Sequence, residues 1–450
     1  MRVCGVYFVF VILLSACTNG VSHLDIALQQ AKHNKAELEK VLKHFKHDSL
    51  KYRAACFLIE NMPGKYSILP YDSLDRYKNF LKIIPQNDPI SWDVRYSKIW
   101  HGFDSISKRQ LAGFSKIEDI KVITGDYLIK NIEYAFKIWE NGKIKDYCSF
   151  DEFCHYILPY RIDHEPLSNW REEGFQKFGH LLDSLMSPRE LALRIIKLGG
   201  MRYNIGMTKY PYKQSYAEML QTRWGTCDDM AAFLALSLRA IGIPASIDYV
   251  PAWANRSSSH CWNVVKDATG DFIEVGYGPE GKNEVVYKIS KIYRKKYDIP
   301  LCDVTSEYAM PLSDLTFRVP SQKDKQLISL CTFNNHDWVP VALSKVMNGS
   351  VLFESVGRGI LWGDNQIRTY LNEGKGIVFL AFISQNGRLN NKPIGFPIIL
   401  LEDGTIKELC ASTEKESIIL YRKYPYYGSN NAIIPVSYTH LRAHETGRNL

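Results

Sequence analysis

The stretch Arg223-Trp224-Gly225-Thr226-Cys227-Asp228-Asp229-Met230, continued by Phe233, Leu234, Leu236, Leu238 and Ile241, constrains the fold more than any other part of the chain. It reads as a strongly apolar helix that begins on a thiol. Thr226 has the residue type of an N-cap and Asp229 follows at the spacing of a capping box, so Cys227 falls at the first helical position. Gly242-Ile243-Pro244 ends the helix. A thiol at a helix start meets unpaired backbone N–H groups and the positive end of the helix dipole. Both favour the thiolate, which is the nucleophilic form.

Further along, Ser259-His260-Cys261-Trp262-Asn263-Val264-Val265 begins a β-like run. A turn at Ala268-Thr269-Gly270 leads into a second run, Phe272-Ile273-Glu274-Val275, giving a hairpin with a histidine at its open end. A helix-start cysteine followed by such a histidine is a specific combination. The thiol needs an imidazole to accept its proton and return it to a leaving group. Cys261, beside His260, points to the opposite strand face and reads as a core residue.

Three blocks, Gly225-Thr226-Cys227, Gly242-Ile243-Pro244-Ala245 and His260-Cys261-Trp262, resemble the core of the transglutaminase-like superfamily over residues 185 to 280. The resemblance implies a papain-like α+β domain in which Cys227 lies against His260, with an acidic residue on the next strand orienting the imidazole. Counting through the hairpin puts that acid at Gly276, which has no carboxylate. Glu274 is the nearest substitute on the same strand face, with Asp271 at the turn and Glu280 beyond the strand. A Cys–His pair without an orienting acid is expected to be slow or inactive. Gln221 precedes Cys227 at the spacing at which papain-like enzymes place an oxyanion-stabilising glutamine. Trp224 and Trp262 read as flanking the thiol and limiting water access, or as ordinary packing. Asp228 and Asp229 read as dipole and capping residues rather than metal ligands, and no metal or cofactor is expected.

At the N-terminus, Arg2 precedes an apolar run from Val6 to Leu14, and Leu14-Ser15-Ala16-Cys17 reads as a bacterial lipobox. Residues 1–16 are therefore expected to be a signal peptide cleaved before Cys17. The flanking regions resemble those of lipoproteins of gut Bacteroidetes. This implies diacylation of Cys17 and anchoring in the cell envelope, with the outer membrane favoured because Thr18 is not aspartate. At the other end, Pro435 to Thr446 resembles a translated sequencing adapter, and residues 435–450 are set aside.

Composition excludes more than it assigns. The formal charge of +8 is modest. Its densest patch, Lys288 to Lys296 with Arg294 and Lys295, reads as a solvated element without the aromatic interleaving of a nucleic-acid site. Ten cysteines form no metal-type Cys-x-x-Cys pair, and Cys148 with Cys154 is a candidate disulfide in an oxidising envelope.

The expected organisation is α+β. Residues 17–175 form a mainly helical region, with helices over Ala36–Leu42, Tyr52–Glu60 and Ile120–Trp139. Residues 176–300 form the thiol domain, whose first helix opens on the capping box Ser187-Pro188-Arg189-Glu190. Residues 301–434 form a β-sandwich, with strands over Gln326–Phe333, Trp338–Leu343, Val351–Glu354 and Ile377–Ser384. The expected activity is cleavage or transfer of a peptide or other amide acyl group by Cys227 and His260, hydrolysis being favoured over crosslinking. The alternative is an inactive binding or scaffold module. Expected partners are a peptide, protein or other amide substrate, a glycan through the β-domain, and a membrane through the anchor.

Overall fold

The computed structural model describes residues 22–69, 115–141, 143–183, 185–203, 213–254, 258–278, 281, 287–299, 301–319, 324–334, 337–360, 376–385, 388–409, 411–423 and 433–443. The expected signal segment, Cys17 and Glu280 lie outside these residues. No helix among the described residues is long and apolar enough to cross a membrane.

The helical region contains α1 (His23–Gln30), α2 (Lys35–His44), α3 (Ser49–Glu60), α4 (Gly125–Asn141) and α5 (Phe150–Tyr156). Ser22 and Ser149 close capping boxes, and Asp48 accepts from the Lys51 N–H, so local sequence fixes these starts. The helix expected from Ile120 begins only at Gly125, after a 3₁₀ turn at Asp119–Lys121. At Gly125 a Cβ would stand 2.6 Å from the Glu37 carbonyl, so only glycine lets α4 approach α2 this closely. A two-stranded ladder of β1 (Tyr66–Leu69) and β2 (Ser115–Glu118) interrupts the helices. Leu38, Leu58, Ile132 and Phe136 form the centre of this core. Cys148 and Cys154 do not form the candidate disulfide. Both are free and buried, and burial pushes each thiol up to about 12.

The thiol domain is built on α6 (Trp170–Phe178), α7 (Pro188–Gly199), β3 (Arg202–Tyr203), α8 (Tyr216–Thr222), β4 (Trp224–Gly225) and α9 (Cys227–Ala240). Because α6 supplies Trp170 and Phe178 to the same core as α9, the domain starts before residue 176. Every residue of α9 from Asp229 to Ala240 is buried, as a helix apolar on all sides requires. It lies on an antiparallel sheet in the order β10-β9-β5-β6-β7. The strands are β5 (Ala245–Val250), β6 (His260–Lys266), β7 (Phe272–Val275), β9 (Tyr293–Arg294) and β10 (Cys302–Asp303), with a short β8 (Lys288–Ile289) outside the sheet. Alternation along β6 divides its side chains. Cys261 and Val265 join the α9 core, whereas Trp262 and Val264 join a second cluster on the other face with Trp253, Ile292 and Tyr308.

The segment read as solvated is buried. Lys288, Lys291 and Arg294 are each 3% exposed. Lys288 donates to the Gly376 carbonyl at 2.9 Å, and Lys291 pairs with Asp303 and donates to the Glu354 carbonyl. Arg294 donates twice to Asp248, at 2.9 Å each, and Lys295 pairs with Asp163 at 2.9 Å. A charged side chain tolerates burial when carboxylates and carbonyls saturate it, and here they do.

Beyond residue 300 the chain is β-structure. β11 (Leu312–Arg318) pairs with β14 (Ser350–Gly357), and β12 (Leu327–Asn334), β13 (Asp337–Lys345), β16 (Gly376–Gln385), β17 (Arg388–Leu401) and β18 (Ile406–Glu408) make a five-stranded antiparallel sheet. Leu315 and Phe353 of one sheet share a core with Ile328, Phe379 and Leu400 of the other, forming a sandwich. Asn348 and Gly349 both take positive φ, 51° and 69°, in the turn before β14. β15 (Gly359–Ile360) pairs back onto β8, and β10 belongs to the thiol-domain sheet, so residue 300 is not a clean boundary. A final antiparallel pair joins β19 (Ala411–Lys423) and β20 (Ile433–Ala443).

Candidate functional site

Cys227 occupies the first position of α9, and the capping box that sets it there is complete. Thr226 N–H and Oγ1 both donate to Asp229 Oδ2 at 2.9 Å, and the Asp229 N–H returns to Thr226 Oγ1 at 3.4 Å. The approach to the cap is equally constrained. Arg223 ends α8 in the left-handed region at φ 53°, and at Gly225 a Cβ would stand 2.5 Å from that of Asp229. Buried Gln214 donates to the Trp224 carbonyl at 2.8 Å and accepts from Thr222 at 2.9 Å, fixing the residues on either side of Arg223.

The hairpin is held to the start of α9 by two hydrogen bonds, one from β6 and one from the residues after β7. Asn263 donates to the Ala231 carbonyl at 2.8 Å, and Tyr277 donates to that of Met230 at 2.7 Å. This docking sets the thiol against β6. The sulfurs of Cys227 and Cys261 and a carboxylate oxygen of Asp228 all lie within 4.8 Å of one another. The Cys227 thiol is held down to about 6, foremost by its hydrogen bond with Cys261. Burial opposes this, and a hydrogen bond with His260 assists. Cys261 correspondingly keeps its proton, its bond to Cys227 and its burial both pushing it well above the usual thiol range. Its sulfur is 3.4 Å from Asp228 Oδ1.

Cys227, Asp228 and Cys261 are donor types that soft divalent ions accept. The charge around them opposes a cation. Lys213 pairs with Asp228 at 3.4 Å and, with Lys295, holds its carboxyl below the usual range. The cluster is therefore dressed as a polarised thiol pair.

His260 opens β6 between two indoles. Trp253 stacks on it at 5.8 Å and 25° between ring planes, and Trp262 tilts against it at 6.0 Å and 34°. The Trp262 N–H donates to the Tyr308 hydroxyl at 2.8 Å, and that hydroxyl donates to Asp248 at 2.7 Å. The chain Trp262–Tyr308–Asp248–Arg294 fixes the ring on which His260 rests.

Residues 180–276 match the family model of the transglutaminase-like superfamily. This part of the chain is similar to a transglutaminase-like domain. A solved protein from Cytophaga hutchinsonii, named "Putative Cysteine Protease", is similar at 14% identity and a TM-score of 0.21, over 43% of this chain and 51% of its own. The chain thus spans about half the length of that protein. No curated protein matches the chain.

Within the transglutaminase-like domain the expected site residues fall into two groups. Cys227 and His260 come together. Trp262 lies against His260, while Trp224 is buried on β4 directly before the cap. Glu274 and Gln221 are not brought in. In the antiparallel ladder Glu274 faces Val264, four residues along β6 from His260, which is about 13 Å of strand. It acts on Tyr308 instead. Gln221 is exposed on α8. Among the described residues no ion pair joins His260 to a carboxylate, and position 276 is glycine. Cys261, Trp253, Asn263 and Gln214 were not foreseen. The one sequence signal for Cys261 was its place next to His260, and the helix turned out to cover its face.

Proposed function

We propose that the transglutaminase-like domain is a thiol enzyme that hydrolyses an amide, with Cys227 as nucleophile and His260 as proton carrier. The observation that carries this reading is the Cys227 thiol, held low at a capped helix start while bonded to both His260 and Cys261. In the proposed reaction the Cys227 sulfur attacks the amide carbon, and the oxyanion meets the Cys227 backbone N–H, which has no acceptor within the helix. His260 delivers a proton to the departing amine, leaving an acyl thioester. Water, losing its proton to His260, then attacks the thioester carbon and releases the acid and the thiolate. With Glu274 facing Val264 and Gln221 exposed, the orienting task falls in this reading to Trp253 and Trp262, and the oxyanion rests on backbone. We further propose that the chain is anchored through a lipid on Cys17 at the outer membrane, facing the periplasm or the surface. The β-domain, on which Phe396 is 45% exposed, would offer a surface for a peptide or glycan.

A second reading, a binding module on the same fold, is favoured by the glycine at position 276. An iodoacetamide probe separates the two. Selective labelling of Cys227 near neutral pH, lost in Cys227→Ala, is the expected result. A Cys227 no more reactive than Cys56, another half-buried thiol, would leave the binding module.

A further inference from the structure

We propose that Cys227 and Cys261 form a reversible disulfide when the protein meets a hydroperoxide, Cys227 being the sulfur first oxidised and Cys261 the one that resolves it. The inference goes beyond amide chemistry and stands on the geometry of the pair. Both are free thiols, and their sulfurs lie within 4.8 Å of one another. Closing to the S–S distance of about 2 Å asks the two sulfurs to approach by less than about 3 Å. Cys227 is half-buried and Cys261 is 5% exposed, so an oxidant arriving from solution meets Cys227 first.

The other cysteines are placed differently. Cys148, Cys154 and Cys331 are buried in apolar surroundings and, like Cys56 and Cys302, are pushed up, with burial as the leading cause. Among the described residues Cys227 is the one thiol held low, and a low, accessible thiolate beside a second cysteine is the arrangement from which oxidation proceeds to a disulfide.

The chemistry balances in two steps. The Cys227 thiolate attacks one peroxide oxygen, the S–O bond forms as the O–O bond breaks, and the departing hydroxide or alkoxide takes a proton from water. Cys227 is then a sulfenic acid. The Cys261 sulfur attacks it, the S–S bond forms as the S–O bond breaks, and hydroxide leaves. The Cys261 proton passes to that hydroxide, with Asp228 Oδ1, 3.4 Å from the Cys261 sulfur, placed to hold it in transit. The two thiols supply two electrons, the peroxide is reduced to water or alcohol and water, and an external thiol reverses the bond.

The test uses the full chain exposed to a small excess of hydrogen peroxide, quenched with N-ethylmaleimide and digested with trypsin without reduction. The peptides 224–239 and 257–266 are expected as one linked species, lighter than their sum by the two thiol hydrogens and separated by dithiothreitol. Dimedone should trap severalfold more sulfenic acid at Cys227 in Cys261→Ser than in the native chain, because the resolving sulfur is gone. Oxidation of native Cys227 to sulfinic acid without the linked species, or equal dimedone trapping in both proteins, overturns the proposal. If Cys261→Ser fails to fold, the native peptide map decides alone. The readout is the bond itself, so the result stands apart from whether the domain hydrolyses amides.

Discussion

Replacing Cys261 by alanine tests whether the neighbouring thiol, more than the helix start, activates Cys227. A hydrogen bond to a charged group contributes about 1.5–3 kcal/mol. Its loss should therefore raise the Cys227 thiol by about one to two pKa units from its value of about 6. For a two-unit rise, the thiolate fraction at pH 7 falls about tenfold. The more basic thiolate is about eightfold more nucleophilic at a Brønsted slope of about 0.45, so the rate at pH 7 barely changes. The effect shows at the extremes. At pH 5 the thiolate fraction falls about ninetyfold, giving alkylation about tenfold slower, while above pH 9 the variant is about eightfold faster. The assay is the rate of iodoacetamide modification of peptide 224–239 from pH 5 to 9, followed by mass spectrometry. Two profiles that superpose, both with midpoints near 6, would refute a donor role for Cys261. Cys261→Ser keeps a donor and should fall between the two.

Gly225→Ala forces a Cβ to within 2.5 Å of Asp229 Cβ and 3.2 Å of the Met201 methyl. Moving Asp229 opens the capping box at a cost of roughly 1–3 kcal/mol, seen in urea unfolding, together with slower labelling of Cys227. Native-like values for both would show that the cap does not position the thiol. Burial works against the Asp163 charge, yet Lys295, Lys213 and His164 hold its carboxyl far below the usual range. Since the folded value lies below the unfolded one, its contribution is present above about pH 4 and is lost as pH falls toward the folded value. Asp163→Asn should therefore be destabilised by about 2 kcal/mol at pH 7, with the gap narrowing below pH 4. A gap that stays constant down to pH 2 in urea titrations would contradict this.

What could be read from the sequence was mostly what the chain decides locally. The start of α9 was legible because Thr226 and Asp229 bond to each other across one turn. The hairpin of β6 and β7 and the strands of the sandwich were legible because a period of two and the turn residues are visible in order. The remainder depended on partners distant in sequence. Alternation along β6 separates Cys261 from Trp262, but only the packing of α9 says that Cys227, which bonds to His260, also meets Cys261. Glu274 shares a face with the position it was meant to replace, but the register carries it along the strand to Val264. The basic run from Lys288 looked solvated because its counter-charges, Asp163, Asp248 and Asp303, lie on other elements.

That basic run has a consequence for modularity. Between Tyr287 and Ile299 the chain touches every region in turn. Lys288 and Lys291 hold the sandwich, Arg294 holds β5, and Lys295 reaches Asp163. Tyr297 takes the Lys65 ammonium on its carbonyl and donates its hydroxyl to Leu58 in the helical region. The segment works like a kingpin, and cutting the chain just after it removes the β10 edge, Tyr308 and the partners of Lys288 and Lys291 together. Recombination that exchanged the C-terminal part at this point would separate groups that stabilise one another, and a transplanted thiol domain would have to bring the kingpin and its sockets along.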